Sequence, residues 1–93
     1  MKQKKTHNYI EILEDCAKIA KERQEQYGEA TQSIKLACNI LYQTFGIKLT
    51  GRQLCEVIIA LKLSRNKFQH KKDSSIDIIN YMCIGITCEE QNI

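Results

Sequence analysis

Apolar residues recur along this chain at the spacing of one helical face, in four successive stretches. The first stretch follows an i, i+3, i+4 pattern: Tyr9, Ile12, Leu13, Cys16, Ile19 and Ala20. Charged residues fill most of the intervening positions, as is typical of an amphipathic helix. The pattern predicts a first helix over residues 8–27, ended by Gly28, because glycine readily adopts the left-handed conformation that terminates helices.

Two further helices follow. The second is predicted over residues 31–45 and ends at Gly46, with this apolar face: Ile34, Ala37, Cys38, Leu41 and Phe45. The third has the clearest start signal in the chain, a capping box in which the side chains of Thr50 and Gln53 each bind the other residue's backbone N–H. Its apolar stripe continues until the helix fades near Gln69: Leu54, Val57, Ile58, Leu61 and Phe68.

The fourth helix is predicted to begin at Asp73 or Ser74, since both side chains are good N-caps. Its apolar face is Ile76, Ile79, Met82, Cys83 and Ile86. The chain contains no proline and only four glycines, which argues against an all-β fold with its frequent turns. The predicted fold class is therefore all-α, a compact bundle of about four short amphipathic helices.

Residues 1–93 are predicted to form a single helical domain, with a flexible basic N-terminus at residues 1–7 and a frayed end at residues 89–93. A chain of this length buries only about 60–65% of the surface that it exposes when unfolded, so a monomeric core is marginal. We therefore expect a homo-oligomer, with a ligand pocket between its subunits. No apolar run approaches a membrane span, and the N-terminus lacks the apolar stretch of a signal peptide. These features predict a cytoplasmic protein without a membrane partner.

The five cysteines are Cys16, Cys38, Cys55, Cys83 and Cys88. Their spacings contain no CxxC pair of the kind found in zinc sites and dithiol redox motifs. Most have apolar neighbours, where a free cysteine behaves as a small buried hydrophobe. We interpret the cysteines as packing residues.

The net charge of +3 hides a strong local polarity. Residues 1–30 are neutral, residues 31–72 carry a net charge of +7, and residues 73–93 carry −4. Within the basic segment, Lys62 and Arg65 are three positions apart and lie on one helical face, where they could hold a phosphate together. The alternative is an ordinary solvated face whose long side chains cover apolar surface.

Asp73 and Asp77 are one helical turn apart and could hold a magnesium ion together with substrate phosphate, with help from Glu56. Equally, acidic residues are favoured in the first turn of any helix, and Asp77 could form a buried ion pair with Arg65 or Lys62. A third candidate element ends the first helix, where Arg23 could reach a phosphate and Tyr27 could stack on a base. Helix-end packing before a glycine explains the same residues without a ligand.

In combination, these elements resemble a family of small phage and prophage proteins of uncharacterised function. The matching positions are Arg23…Tyr27-Gly28, Leu49-Thr50, Leu61-Lys62-x-x-Arg65 and Asp73-Ser74-x-x-Asp77-x-x-x-Tyr81. The chain departs from the family pattern at residues 31–33, where asparagine is expected, and lacks the tryptophan common near the end of the second helix. The resemblance implies a phage origin and a helical domain distantly similar to MazG-like nucleotide pyrophosphohydrolases. Those enzymes hold magnesium with Glu-x-x-Glu and Glu-x-x-Asp pairs. Glu11 and Glu14 match the first pair, whereas the later helices have no Glu-x-x-Asp.

Three functions remain open. The first is binding of a nucleotide or cyclic nucleotide without turnover or cofactor, which in the host cytoplasm could sequester a signal of host defence. Its ligand-binding residues would be Arg23, Tyr27, Lys62, Arg65, Asp73, Asp77 and Tyr81. The second is magnesium-dependent hydrolysis of a nucleoside triphosphate, with Asp73, Asp77 and Glu56 holding the metal. The third is a protein or DNA interaction module, although the mild net charge makes a nucleic-acid partner the least favoured.

Overall fold

The computed structural model describes residues 8–69 and 72–93, which form four helices without a strand. They are α1 (Tyr9–Tyr27), α2 (Ala30–Phe45), α3 (Gly51–Asn66) and α4 (Lys72–Glu90). The all-α prediction and the four predicted helices are confirmed. The predicted flexible segment at residues 1–7, and positions 70 and 71 of the basic stretch, lie outside the described residues.

The capping box predicted for α3 is present. The Gln53 backbone N–H donates to Thr50 Oγ1 at 3.1 Å, and the Thr50 backbone N–H donates to Gln53 Oε1 at 2.9 Å. A second capping box, which the apolar pattern did not indicate, starts α1, where Asn8 and Glu11 bind each other's N–H groups at 3.0 and 3.1 Å. At the start of both helices, side-chain oxygens therefore accept from backbone N–H groups that have no partner within the helix.

The start of α4 differs from the prediction. The helix already includes Lys72, so Asp73 lies in its first turn rather than at the N-cap. An acidic side chain is also favourable there, because it faces the positive end of the helix dipole. The sequence therefore indicated the start of α4 to within a residue or two, but Asp73 acts there as an acid in the first turn and not as the N-cap.

α3 and α4 form an antiparallel hairpin with close contact between backbones. At one end, a Cβ added to Gly51 would lie 2.9 Å from Cys88 Cβ. Farther along, Gly85 of α4 lies against Cys55 of α3, where an added Cβ would be 3.3 Å from Cys55 Cβ. Small side chains at these crossings allow the two helices to approach closely, which makes this pair the central element of the fold.

The main core lies where α2 crosses the hairpin. Its buried members are Ile34, Leu54, Cys55 and Cys88, and half-buried apolar residues surround them, among them Leu41. α1 joins at the other side of α4 and runs antiparallel to it. Cys16 of α1 lies near Cys83 of α4. The hairpin is thus the scaffold against which α1 and α2 are held.

The predicted apolar faces are only partly buried. On α4, Ile76 is buried, but Met82, Cys83 and Ile86 are exposed, and Gly85 and Cys88 are buried in their place. On α3, Leu54 is buried and Ile58 packs against the core, whereas three members of the predicted stripe are exposed: Val57, Leu61 and Phe68. On α1, Tyr9 and Leu13 are exposed, and only Cys16 is fully buried. The reason is that α3 and α4 pack through their small residues, which leaves larger apolar side chains on the outside.

The C-terminal residues are bonded to the start of α3. The Ile93 backbone N–H donates to the Cys88 carbonyl, and the Ile93 carbonyl accepts from the Gly51 N–H, both at 2.9 Å. The Ile93 side chain packs against the core. These contacts oppose the predicted fraying of residues 89–93. The fraying concerns motion and stays a prediction. None of the described helices combines the length and the apolar character that crossing a membrane requires.

Candidate functional site

Asp77 lies at the centre of the charged site and joins three helices. Its Oδ1 accepts a hydrogen bond from Arg23 Nη1 of α1 at 2.7 Å, and its Oδ2 accepts one from Lys62 Nζ of α3 at 3.0 Å. The Asp77 side chain is 14% exposed and that of Lys62 is 17% exposed, whereas the Arg23 side chain is 49% exposed. The ion pair of Asp77 with Lys62 was one of the alternatives open from the sequence, and Arg23 is an additional partner.

This charge cluster retains binding capacity. Two cations face one carboxylate, so the three side chains together carry a net charge of +1. Each cation donates one hydrogen bond to Asp77, whereas a guanidinium has five N–H donors and an ammonium has three. Asp77 therefore fixes the position of both cations without using all their donors, and Arg23 presents the remainder toward solvent.

Beside Arg23 lies a cleft of about 720 Å³ between α1, α2 and α4. Its walls include Arg23 and Tyr27 at the end of α1, Ser33 on α2, and Asn80 and Tyr81 on α4. The α1–α2 turn at Gly28 (φ +84°) forms one rim, and this positive φ suits glycine. Tyr27 ends α1 directly before this turn and is 77% exposed. The cleft lies within a single chain, whereas the expectation was a pocket between subunits.

Asn80 is the site residue that the sequence reasoning missed. Its Nδ2 is buried and has no hydrogen-bond partner among the described residues, although Asn80 lines the cleft. A buried amide without a partner is unfavourable by about 1–3 kcal/mol, so such groups in proteins require an explanation. The available signal was a polar residue between apolar neighbours, three positions after Asp77 and directly before Tyr81.

Tyr81 connects the charge cluster with the cleft. Its ring lines the cleft, and Lys62 Nζ lies 6.0 Å from the ring centroid, at the outer limit of a cation–π contact. Four of the seven residues predicted from the sequence to bind a ligand are therefore close together: Arg23, Lys62, Asp77 and Tyr81. Tyr27 shares the cleft with Arg23 and Tyr81.

The structure places Arg65 and Asp73 elsewhere. Arg65 lines a smaller cleft of about 310 Å³ near the α3–α4 turn, together with Phe68 and Ser74. Asp73 is exposed in the first turn of α4. Lys62 and Arg65 thus have different surroundings, because Lys62 turns toward Asp77.

The acidic residues considered for magnesium are not brought together. Glu56 is exposed and lies 3.6 Å from Arg52, which also binds Glu89 at 2.8 Å. Across residues 8–69 and 72–93, no three His, Cys, Asp or Glu side chains are grouped closely enough to hold a metal ion. Glu56, Asp73 and Asp77 therefore do not form a joint metal site in this fold.

Most of the cysteines serve as packing residues. All five are free thiols, and Cys16, Cys55 and Cys88 are buried. Burial raises the pKa of Cys55 from 9.0 to about 11, and it also raises the pKa of Cys16, Cys38 and Cys88. Because the thiolate is the reactive form, these thiols are poor nucleophiles at neutral pH.

Cysteine labelling tests this assignment. Cys83 is the exposed thiol of the five, so a single rapid phase of reaction with a chromogenic disulfide is expected at neutral pH. The buried thiols should react only as the protein opens, and all five should react in denaturant. Cys83→Ser should abolish the rapid phase, whereas Cys16→Ser should leave it unchanged. A rapid phase that survives in Cys83→Ser would show that a core thiol is accessible.

Comparison with known proteins gives one match. No curated protein and no solved structure is significantly similar to this chain. A family model described as "Domain of unknown function (DUF6378)" matches residues 11–89. This span includes nearly all of the four helices and every described residue of the cleft and the charge cluster. The chain therefore belongs to the DUF6378 family.

Proposed function

We propose that this protein binds a phosphate-bearing nucleotide, without turnover, in the cleft between α1, α2 and α4. The observation that supports this most directly is the guanidinium of Arg23, which Asp77 holds at 2.7 Å beside a cleft of about 720 Å³. That volume lies within the range of small-molecule sites. The fixed cation at the edge of the cleft suits the anionic phosphate of a nucleotide, and the aromatic walls suit its planar base.

Each side chain has a distinct role in this proposal. Arg23 donates its free N–H groups to phosphate oxygens, for which its planar fork is well suited. Tyr27 and Tyr81 contact the base, and Asn80, which lines the cleft and whose buried Nδ2 has no partner among the described residues, turns its amide to the base or sugar when a ligand binds. Asp77 positions Arg23 and Lys62, and Lys62 adds positive potential behind the phosphate.

Arg65 and Asp73 remain predicted ligand contacts, but only for a ligand longer than a mononucleotide. Arg65 lines the neighbouring cleft at the α3–α4 turn, so a mononucleotide confined to the larger cleft would not need it. A cyclic dinucleotide or another extended nucleotide would present further phosphates to this basic region. The length of the ligand is therefore what decides whether Arg65 contributes.

Binding without turnover is proposed over hydrolysis because of the donor set. The described acidic residues do not form a metal-binding group of three. Glu29, which lines the cleft, accepts a hydrogen bond from Gln24 Nε2 at 3.0 Å, and the nearby Asp77 already binds two cations. In a phage, such a protein would act in the host cytoplasm by sequestering a nucleotide signal of host defence. Fifteen large apolar side chains are exposed among the described residues, which supports the proposal that the protein works as a homo-oligomer.

Calorimetric titration with a panel of nucleotides and cyclic nucleotides tests the proposal. Binding of at least one is expected, and Arg23→Gln should weaken it by about 10- to 100-fold, because a hydrogen bond to a charged group contributes about 1.5–3 kcal/mol. Arg52→Gln is the matched control, since Arg52 also pairs with a carboxylate at 2.8 Å but does not line the cleft. Its affinity should equal that of the wild type.

Recovery of the ligand separates binding from hydrolysis. After incubation with Mg²⁺ or Mn²⁺ and denaturation of the protein, chromatography should return the nucleotide intact. A hydrolysed product would establish the enzymatic alternative. No binding at high micromolar concentration to any nucleotide, or equal losses in Arg23→Gln and Arg52→Gln, would contradict the proposed site.

A further inference from the structure

We infer that two copies of this chain associate through the outer face of the α3–α4 hairpin, which consists of Ile59 and Leu63 on α3 and Met82 and Ile86 on α4. This inference rests on the proposed self-association and names its surface and symmetry. It does not depend on nucleotide binding.

The Arg52–Glu89 ion pair shows that these four residues share one face. On α3, Arg52 is followed by Ile59 and Leu63 at i+7 and i+11, so the three lie on one side of the helix. On α4, Met82 and Ile86 precede Glu89 by seven and three positions and share its side. Because Arg52 Nη1 and Glu89 Oε1 are 2.8 Å apart, the two apolar stripes lie next to each other.

The outer face has no cover within the described chain. Leu63 is 55% exposed, Met82 41% and Ile86 45%, and Ile59 is half-buried. α2 packs on the opposite side of the hairpin, where the core cluster lies. Large apolar side chains aligned along two neighbouring helices are typical of a surface that another helical pair covers.

The area of the chain favours a second copy as the occupant. A folded monomer of 10.8 kDa is expected to expose about 5,500 Å², whereas this chain exposes 7418 Å². Subtracting residues 1–7, 70 and 71 at the full area of an extended chain removes roughly 1,700 Å². The remaining part still exceeds the surface expected for its mass by about 650 Å². That excess is close to the roughly 800 Å² per partner of a standard interface.

The charges of the hairpin favour an antiparallel pair. At the α3–α4 turn, Arg65, Lys67 and Lys72 outweigh Asp73, whereas at the opposite end Glu56, Glu89 and Glu90 outweigh Arg52. A twofold axis perpendicular to the outer face places the basic end of one copy beside the acidic end of the second copy. A parallel arrangement would bring like charges together. The pair would therefore form a closed dimer rather than a longer array.

This arrangement leaves both clefts accessible. The cleft involves Asn80, Tyr81 and Ile84 of α4, which face α1 and α2 rather than the outer face. Each copy in the dimer would consequently bind its own ligand. Loss of dimerisation should not by itself abolish binding.

Sedimentation equilibrium over a range of protein concentrations tests the interface. The wild type should be a dimer, and Leu63→Glu should raise the dimer dissociation constant by at least about 100-fold, because a charge would be buried in an apolar contact. Leu61→Glu is the matched control, since Leu61 is also a 55% exposed leucine on α3 but points away from the outer face. It should remain dimeric.

The outcomes distinguish the two proposals. A wild type that is monomeric at high micromolar concentration would overturn self-association itself. A wild-type dimer that persists in Leu63→Glu but dissociates in Leu61→Glu would overturn only the assigned surface. If Leu63→Glu loses its helical circular dichroism, Met82→Lys on the other helix provides the same test. Nucleotide titration of the dissociated variant reports on the cleft separately.

Discussion

Replacing Asp77 with alanine is expected to lower the free energy of unfolding by about 2–3 kcal/mol, the largest effect of any single charge removal in the described chain. The Asp77 carboxylate holds Lys62, whose side chain is only 17% exposed, and also Arg23. Without it, a largely buried ammonium loses its counter-ion and α1 loses a bond to α4. The half-exposed Arg23 can turn to solvent, so the loss stays below that of a fully buried pair.

Urea denaturation followed by circular dichroism measures this effect. An unchanged m-value would indicate that unfolding exposes the same surface area in the variant as in the wild type. Glu56→Ala is the matched control. Glu56 also forms an ion pair with an arginine, but its side chain is 56% exposed and the separation is 3.6 Å, so its removal should change stability by less than about 0.5 kcal/mol. Equal effects of the two variants would show that Asp77 does not organise the three helices.

Gly51→Ala is the second substitution with a large expected effect, a loss of about 2 kcal/mol of stability. An added Cβ would lie 2.9 Å from Cys88 Cβ, and 3.0 Å from both Cys88 Sγ and Ile93 Cγ2. Cys88 is fully buried and its Cβ is fixed by the α4 backbone, so α3 and α4 must move apart. The Gly51 N–H bond to the Ile93 carbonyl, 2.9 Å long, would be stretched at the same time.

Gly85→Ala is the control for this effect, because Gly85 lies in the same helix pair. There an added Cβ would be 3.3 Å from Cys55 Cβ and 3.7 Å from the Arg52 Cα, a contact that small shifts relieve. The loss of stability in Gly85→Ala should be smaller than that in Gly51→Ala, because the contact is looser. In addition, alanine within a helix is more favourable than glycine by up to about 1 kcal/mol, which offsets part of the loss. Thermal unfolding of both variants provides the comparison. If Gly51→Ala were as stable as the wild type, the close approach of the helix ends would not be a constraint.

Part of the candidate site could be predicted from the sequence. Arg23, Lys62, Asp77 and Tyr81 were selected by residue type and position, and the fold brings them together. The spacing of Lys62 and Arg65 indicated that they lie on one side of α3. It did not indicate that Lys62 binds Asp77 while Arg65 lines a separate cleft. Asn80 was missed because a single amide on an apolar helix carries no motif. Its importance depends on the lack of a partner for its Nδ2 among the described residues.

The sequence by itself determined the four helices and their order. Capping residues such as Thr50, turn glycines such as Gly46 and the 3.6-residue apolar period act within a few neighbouring residues, so they can be recognised in one dimension. The all-α class and the packing role of the cysteines follow from the same local rules.

Only the tertiary structure decided which apolar face of each helix is buried. α4 has apolar residues around most of its circumference, so its period does not favour Met82 and Ile86 over Cys88. The close approach of α3 and α4 at Gly51 and Gly85 selects the small residues for the interior, because helices joined through small side chains bury more backbone surface. The same packing leaves the larger side chains outside and brings Arg23 to Asp77 across 54 residues of sequence, a pairing that no local pattern encodes.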